Sequence, residues 1–222
     1  MLPIQQKLTP YNYNAMTNKN NLYIVVHYVG AVSTAKNNVD YYASQKLQAS
    51  AHYFVDETSI WQSVKDTDKA WHCGGGLQGS EGHSFYGICT NANSIGIEIC
   101  CKKTSAGAFY FEDKTVENTV DLINYLMEKY NIPIERVIRH YDVTGKKCPA
   151  PYVDEKAWAN FKNKIMKKHI KEYTDINEIV WELGYRGIVS DKVGMINEMT
   201  QNPNGRLYWL ARKAVQYMRE RD

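Results

Sequence analysis

Residues 139–149 read Arg-His-Tyr-Asp-Val-Thr-Gly-Lys-Lys-Cys-Pro, which places His140 and Cys148 eight residues apart. A second histidine, His27, lies far upstream, directly after the apolar run Leu-Tyr-Ile-Val-Val at residues 22–26. Two imidazoles and one thiolate are good ligands for zinc, and catalytic zinc sites keep three protein ligands and leave the fourth position to water. The sequence therefore indicates a candidate Zn2+ site made by these three residues.

Each candidate ligand also has a plainer explanation. A histidine at the end of a strand is often only a polar residue that caps the sheet, and a single cysteine is usually a small buried hydrophobic residue. The spacing from His140 to Cys148 is not that of a zinc finger, and no second pair of Cys or His completes a four-ligand structural site. Taken singly the three signals are weak, and their weight comes from the sequence that surrounds them.

The composition is that of an ordinary globular protein. The 222 residues, 44% hydrophobic and 23% charged, suffice for one sizeable domain and a small appendage. A net charge of +3 is too small to argue for a nucleic acid partner, although a mildly basic surface could favour an anionic polymer such as a bacterial wall, or simply solubility.

We expect no membrane association, because no apolar run approaches the roughly 20 residues that a span needs. We also expect no signal peptide, and five Cys without a disulfide-like spacing favour a reducing cytoplasm.

Hydrophobic periodicity predicts a series of short strands and longer helices. Strands are predicted over residues 22–28, 51–55, 59–64, 94–101 and 137–140, and helices over residues 36–49, 115–130 and 154–170. A Gly-rich loop is predicted between residues 74 and 93, and loops of this length in compact domains are usually functional or disordered.

A change in composition near Glu172 predicts two domains, residues 1–172 and residues 173–222. The second segment alternates short helical patterns with Gly-rich turns, so we expect a small helical module. About 50 residues is marginal for independent stability. The module is therefore expected to pack on the first domain or to form a homodimer.

Five segments occur in a recognisable order. They are residues 24–28 (Ile-Val-Val-His-Tyr), 51–55 (Ala-His-Tyr-Phe-Val), 70–74 (Ala-Trp-His-Cys-Gly), 93–98 (Asn-Ser-Ile-Gly-Ile-Glu) and 140–149 (His-Tyr-Asp through Lys-Lys-Cys-Pro). Over roughly residues 20–170 the chain resembles the type 2 N-acetylmuramoyl-L-alanine amidases, a group that includes phage endolysins, bacterial autolysins and peptidoglycan recognition proteins. The resemblance implies an α/β fold with a central mixed β-sheet flanked by helices, followed here by the small C-terminal helical module.

The resemblance implies the same zinc ligands, His27, His140 and Cys148. It also implies hydrolysis of the amide between the lactyl group of N-acetylmuramic acid and L-alanine in bacterial peptidoglycan. Recognition proteins without activity typically have Ser in place of Cys148, and a neutral hydroxyl is a poor zinc ligand where a thiolate is a strong one. The cysteine thus favours an enzyme over a non-catalytic peptidoglycan-binding protein.

Three further residues match catalytic positions of the family. Lys146 could stabilise the oxyanion that forms during hydrolysis, or it is a solvated loop lysine like its neighbour. Tyr53 matches a tyrosine that orients water or substrate, and the alternative is an aromatic that packs in the core. Glu98 could serve as a base through water or orient a ligand imidazole, and the sequence leaves both roles open.

Substrate contacts are implied for Trp71, His72 and Asn93. Core packing is a nearly equal alternative for Trp71, and a fourth zinc ligand at His72 is not expected because it would close the water position. The expected setting is a phage or prophage endolysin that stays in the host cytoplasm until lysis and then acts on the wall. A bacterial autolysin is the alternative. The module at residues 173–222 is expected to bind the wall or, as the next choice, to mediate a homodimer.

Overall fold

The computed structural model describes residues 1–171, 176–185 and 187–201, and the chain divides into two units, Met1–Lys162 and Asn163–Asp222. The described residues contain nine strands: β1 (Ile4–Gln6), β2 (Tyr13–Asn14), β3 (Tyr23–Val32), β4 (Tyr53–Val55), β5 (Ile60–Gln62), β6 (Lys69–Ala70), β7 (Ser94–Lys103), β8 (Phe109–Tyr110) and β9 (Val137–Arg139). They also contain six α-helices: α1 (Ala35–Ser44), α2 (Asp113–Tyr130), α3 (His140–Thr144), α4 (Glu155–Lys171), α5 (Ile176–Tyr185) and α6 (Lys192–Gln201).

Seven strands of the first unit form one mixed sheet. Six of them lie in the order β1-β5-β4-β7-β3-β9, and β8 pairs with the end of β7, while β2 and β6 form a separate antiparallel pair. The pairs β4–β7, β7–β3 and β3–β9 are parallel, and β4–β5 is antiparallel. Continuous runs of buried apolar residues in β3 and β7 suit parallel strands that are covered on both faces. The predicted α/β fold with a central mixed β-sheet flanked by helices is confirmed.

Helices α1 and α2 lie against opposite faces of this sheet. Phe54 packs against Ala35 and Val39 of α1. The adjacent residue, Tyr53, projects to the other face because successive side chains of a strand alternate. Its hydroxyl hydrogen-bonds to Asp66, which also accepts a hydrogen bond from the Tyr130 hydroxyl at the end of α2. The α1 face of the sheet carries the groups described in the next subsection.

The first helix ends earlier than the periodicity predicts. It was expected to reach residue 49, but α1 ends at Ser44. The buried side chain of Asn12 binds the carbonyls of Tyr42 and Gln45 through Nδ2, and its Oδ1 accepts the N–H of Leu47. A side chain from the N-terminal segment therefore satisfies the backbone groups at the end of the helix, which periodicity cannot reveal.

The other predicted elements of the first unit are present with shifted ends. The strand predicted over residues 137–140 ends at Arg139, and His140 instead begins α3. Strands β1, β2, β6 and β8 were not predicted, because two or three residues are too few to show a periodic pattern.

The second unit contains α5 and α6 among its described residues, and Val180, Leu183 and Met199 are buried. The predicted domain boundary at 172/173 lies outside the described residues. Within the described ranges, no helix is both long and apolar enough to span a bilayer.

We predict that Asp56→Asn lowers the free energy of unfolding at pH 7 by about 2 kcal/mol, the range for hydrogen bonds to a charged group. Asp56 is 2% exposed and accepts the N–H groups of Ala35 at 2.7 Å, Thr58 at 2.8 Å and Ser59 at 2.7 Å. Burial raises the pKa of Asp56, but these hydrogen bonds outweigh burial, so its pKa lies below the ordinary value.

A carboxyl group whose folded pKa is depressed stabilises the protein above its unfolded pKa of about 3.9 and loses this contribution as the pH falls through the folded pKa. Denaturant titrations should therefore show the difference between wild type and Asp56→Asn shrinking below about pH 4. Asp40→Asn is the control, because its ion pairs with Lys7 and Lys36 lie on the surface and contribute little. Equal losses from both variants would contradict the prediction.

Candidate metal centre

The structure brings His27, His140 and Cys148 together on the α1 face of the sheet. Val26 of β3 pairs with Arg139, the last residue of β9, so the residues that follow, His27 of β3 and His140 at the start of α3, lie at the same level of the sheet. The two imidazole rings are 4.7 Å apart between centroids. Cys148 completes the group with its Sγ 3.7 Å from His27 Nδ1.

The potential ligand atoms of these three residues all lie within 4.8 Å of one another. The residues are only 2%, 4% and 3% exposed, respectively. Neither ring nitrogen of His140 has a hydrogen-bond partner among the described residues, although both are buried. A buried polar group without a partner is costly and calls for a specific explanation, and an ion held between these atoms supplies one. Two imidazole nitrogens and a sulfur are the donor set that suits zinc.

A backbone hydrogen bond closes the loop that carries Cys148. Helix α3 ends at Thr144, and the next residue, Gly145, has φ +77°. The N–H of Tyr141 donates to the carbonyl of Cys148 at 2.8 Å. A Cβ atom at Gly145 would lie 2.8 Å from the carbonyl oxygen of Glu81, so a larger residue would clash with the Gly-rich loop. The positive φ and the close approach both require glycine here.

Electrostatics favours neutral imidazoles at this site. Burial lowers the pKa of His27 well below its ordinary value, with smaller contributions from His140, His72 and Lys146. Burial, and then the charge of Lys146, lowers the pKa of His140 to about 3. Neutral histidine is the form that binds a metal.

The thiol of Cys148 has the opposite tendency. Burial raises its pKa to about 12, and the nearby Glu98 carboxylate acts in the same direction. Without a cation the sulfur therefore keeps its proton. A metal ion is the charge that makes the thiolate favourable there, and its binding releases that proton.

Glu98 and Lys146 are two ionisable residues that act electrostatically on this cluster. Glu98 pairs with His27 in the register of β7 and β3, which puts the two side chains on the same face. Its Oε2 is buried and has no partner among the described residues, and burial raises its pKa to about 8. Lys146 is exposed, and its charge lowers the pKa values of Glu98, His27 and His140.

Tyr53 is not brought to the cluster. It pairs with Ile97, the residue before Glu98, and therefore projects from the opposite face. Its hydroxyl donates to Asp66 Oδ1 at 2.6 Å and accepts a hydrogen bond from Gln62 Nε2 at 3.1 Å. Burial, and then the Asp66 charge, raises its pKa. The alternative expected from sequence, a packed core aromatic, is the one that matches this position.

The three predicted substrate-binding residues lie in different environments. Trp71 is partly exposed, and its indole N–H donates to Asn14 Oδ1 at 2.8 Å. The Asn93 side chain is engaged within its own loop, where its Oδ1 accepts the Thr90 N–H and its amide donates to the Ile88 carbonyl.

His72 lies behind a candidate ligand. It is 8% exposed, and its Nδ1 is 3.1 Å from His27 Nε2, the ring nitrogen of His27 farther from Cys148. A Cβ atom at Gly96 would lie 2.5 Å from His72 Cγ, so the imidazole rests directly on the backbone of β7. Sequence reasoning did not assign this role, although an isolated glycine inside a predicted strand signals a close approach of this kind.

Comparisons with known proteins identify the family to which the chain is similar. The model of a protein family described as N-acetylmuramoyl-L-alanine amidase matches residues 17–151. N-acetylmuramoyl-L-alanine amidase BlyA of Bacillus subtilis (strain 168) is 35% identical over 153 residues, which cover 65% of this chain and 41% of that protein. The chain thus spans about two fifths of the length of this curated relative.

Solved structures show the same similarity in three dimensions. The catalytic domain of XlyA matches 74% of this chain and 99% of its own, with 30% identity and a TM-score of 0.59. A mutant endolysin from Bacillus subtilis also matches 74% of this chain and 99% of its own, with 29% identity and a TM-score of 0.59.

We predict that Cys148→Ser loses most of its bound zinc, because it replaces a potential thiolate by a neutral hydroxyl. Elemental analysis after dialysis should find about one zinc per wild-type chain, as expected for a three-ligand site. Cys101→Ser is the matched control, since Cys101 is also buried, at 1% exposed, but is not one of the clustered ligands. Stoichiometric zinc in Cys148→Ser would refute the assignment.

Proposed function

The chain belongs to the N-acetylmuramoyl-L-alanine amidase family, and we propose that it is a zinc-dependent hydrolase of bacterial peptidoglycan. The bond cleaved is the amide between the lactyl carbonyl of N-acetylmuramic acid and the nitrogen of L-alanine. The observation that carries the proposal is the buried group of two histidines and one cysteine, with ligand atoms within 4.8 Å of one another and two unpaired nitrogens on His140.

Zinc, when bound, supplies a Lewis acid for the substrate carbonyl and lowers the pKa of a coordinated water. The residues around it hold and move protons. Burial raises the pKa of Glu98 to about 8, and a cation bound beside it would lower that pKa and favour the carboxylate. In this form Glu98 accepts a proton from the attacking water and returns it to the departing amine of L-alanine. The C–N bond breaks, a C–O bond forms, and the products are a free lactyl carboxylate and a peptide with a new amino terminus.

Lys146 has a separate role in this proposal. Attack on the amide places negative charge on the former carbonyl oxygen, and a positioned ammonium group stabilises that charge. Lys146 is exposed and lies two residues before Cys148, and its charge already acts on both candidate histidine ligands. It can reach a substrate from solvent without being buried itself.

We further propose that the enzyme acts as a phage or prophage endolysin, which remains in the host cytoplasm and reaches the wall at lysis. Its similarity to an endolysin from Bacillus subtilis supports this setting, and a bacterial autolysin with the same bond specificity is the second candidate. For residues 173–222 we propose wall binding, which would raise the local enzyme concentration at the polymer. A homodimer through this segment is the alternative, and light scattering of the full chain distinguishes the two.

The bond is tested by digestion of purified peptidoglycan and mass spectrometry of the products. We expect new free amino groups on L-alanine and no new reducing sugar ends. The zinc-depleted Cys148→Ser variant controls for contaminating hydrolases. New reducing ends without free alanine amines would indicate a glycosidase and overturn the proposal.

Lys146→Ala should lower turnover by roughly 10²–10³-fold, the range for loss of one oxyanion donor, while zinc content stays unchanged. Lys147→Ala is a matched control, because it removes a neighbouring exposed charge of the same kind. Steady-state rates on a soluble muropeptide provide the comparison. Small and equal effects of the two substitutions would contradict this role and show that Lys146 is a solvated loop lysine.

A further inference from the structure

We infer that Ser94 and the backbone carbonyl of Thr90 are positioning groups of the metal centre, acting through His72 to decide which nitrogen of His27 carries its proton. The inference rests on the proposed function in one respect, namely that His27 binds the metal. It concerns four consecutive polar groups, the Thr90 carbonyl, the Ser94 hydroxyl and the rings of His72 and His27, which we call the tautomer relay.

The hydrogen bond between Ser94 and Thr90, at the end of the relay farthest from His27, determines the donor and the acceptor in every other bond of the relay. Ser94 Oγ lies 2.5 Å from the carbonyl oxygen of Thr90. A carbonyl oxygen has no hydrogen to give, so the hydroxyl of Ser94 must donate in this bond. The single hydrogen of Ser94 is thereby used, and its oxygen can only accept from other neighbours.

The next two links follow from that choice. His72 Nε2 is 3.2 Å from Ser94 Oγ, so Nε2 carries the hydrogen and donates it to the serine oxygen. A neutral imidazole has one N–H, so His72 Nδ1 is an acceptor. This Nδ1 is 3.1 Å from His27 Nε2, which therefore carries the hydrogen of the His27 ring.

The relay ends on the nitrogen that the metal needs. With Nε2 protonated, His27 Nδ1 keeps a free lone pair, and it is Nδ1 that lies 3.7 Å from Cys148 Sγ. In the other tautomer, Nδ1 would point a hydrogen into the ligand cluster and could not bind a cation. Each bond of the relay therefore favours the form of His27 that can act as a ligand.

The surroundings hold the His72 ring in this orientation. The ring lies against Gly96, where even a Cβ atom would come within 2.5 Å of its Cγ. The backbone N–H of His72 donates to Asn91 Oδ1 at 3.0 Å, and Ser94 is fully buried. The ring is thus fixed from the strand below and from the loop that supplies Thr90.

The test uses Ser94→Ala, which removes the acceptor for His72 Nε2–H, and compares zinc affinity by competition with a chelator of known affinity. Loss of the direct hydrogen-bond partner of a metal-ligating histidine typically weakens binding 10–100-fold. Ser94 lies one hydrogen bond farther away, so we expect a loss of about 10-fold, the lower end of that range. Ser94→Thr keeps the hydroxyl and should restore most of the affinity.

Ser63→Ala is the matched control. Ser63 is also fully buried, and its hydroxyl has no hydrogen-bond partner among the described residues, so its loss should leave the zinc affinity unchanged. Thermal unfolding of the metal-free variants reports any general loss of stability separately. A wild-type zinc affinity in Ser94→Ala would overturn the inference.

A second measurement needs no variant. Imidazole 15N chemical shifts of the metal-free wild-type protein distinguish the two tautomers of each histidine, and we expect His27 and His72 both to carry their hydrogen on Nε2. A His27 ring protonated on Nδ1 would refute the relay. Neither measurement involves peptidoglycan, so a failure of the relay and a failure of the proposed amidase activity are read independently.

Discussion

The parallel register of β7, β3 and β9 is the constraint on which the site depends. Pairing of β3 with β9 brings His27 and His140 to one level, and pairing of β3 with β7 sets Glu98 beside His27. A shift of one residue in either pair would turn a whole strand's side chains to the other face and separate these groups. The same pairings bury the apolar runs of β3 and β7 on both faces of the sheet. Stability and chemistry here have the same origin.

The cost of the site is the burial of polar groups without full hydrogen bonding. Within the part of the chain that the structure describes, His140 lacks a partner for either nitrogen, and Glu98 lacks one for Oε2. Burial keeps the histidines neutral and raises the pKa values of Glu98 and Cys148, so the metal-free site carries little charge. A divalent cation reverses this balance by making the thiolate favourable and giving the orphaned nitrogens a partner. The same features that destabilise the empty cluster therefore favour metal binding.

The sequence predicts the sheet, its main helices and the candidate ligands, because these depend on periodicity and on residue types in ordered motifs. Prediction from sequence fails where a contact between residues far apart in the chain sets the end of a helix or the face to which a side chain projects. The end of α1 is set by Asn12, which lies more than thirty residues before the Leu47 amide that it binds. Tyr53 and Phe54 are both aromatic, and only the pairing with β7 shows that Phe54, and not Tyr53, shares the face of Glu98. The isolated glycine at position 96 indicates that a side chain approaches the strand closely there. The sequence does not show that this side chain is His72 or that it contacts His27.

Hydrogen bonds that involve no metal hold the loop that carries Cys148. Arg139 is 3% exposed, and its guanidinium binds the Asp142 carboxylate and the carbonyls of Tyr152 and Val153. These bonds join the start of α3 to the chain just beyond Cys148. In a zinc finger the metal provides the folding energy itself, since no core exists without it. Here a buried ion pair and a seven-stranded sheet hold the elements that carry the ligands, so the fold does not depend on the metal alone.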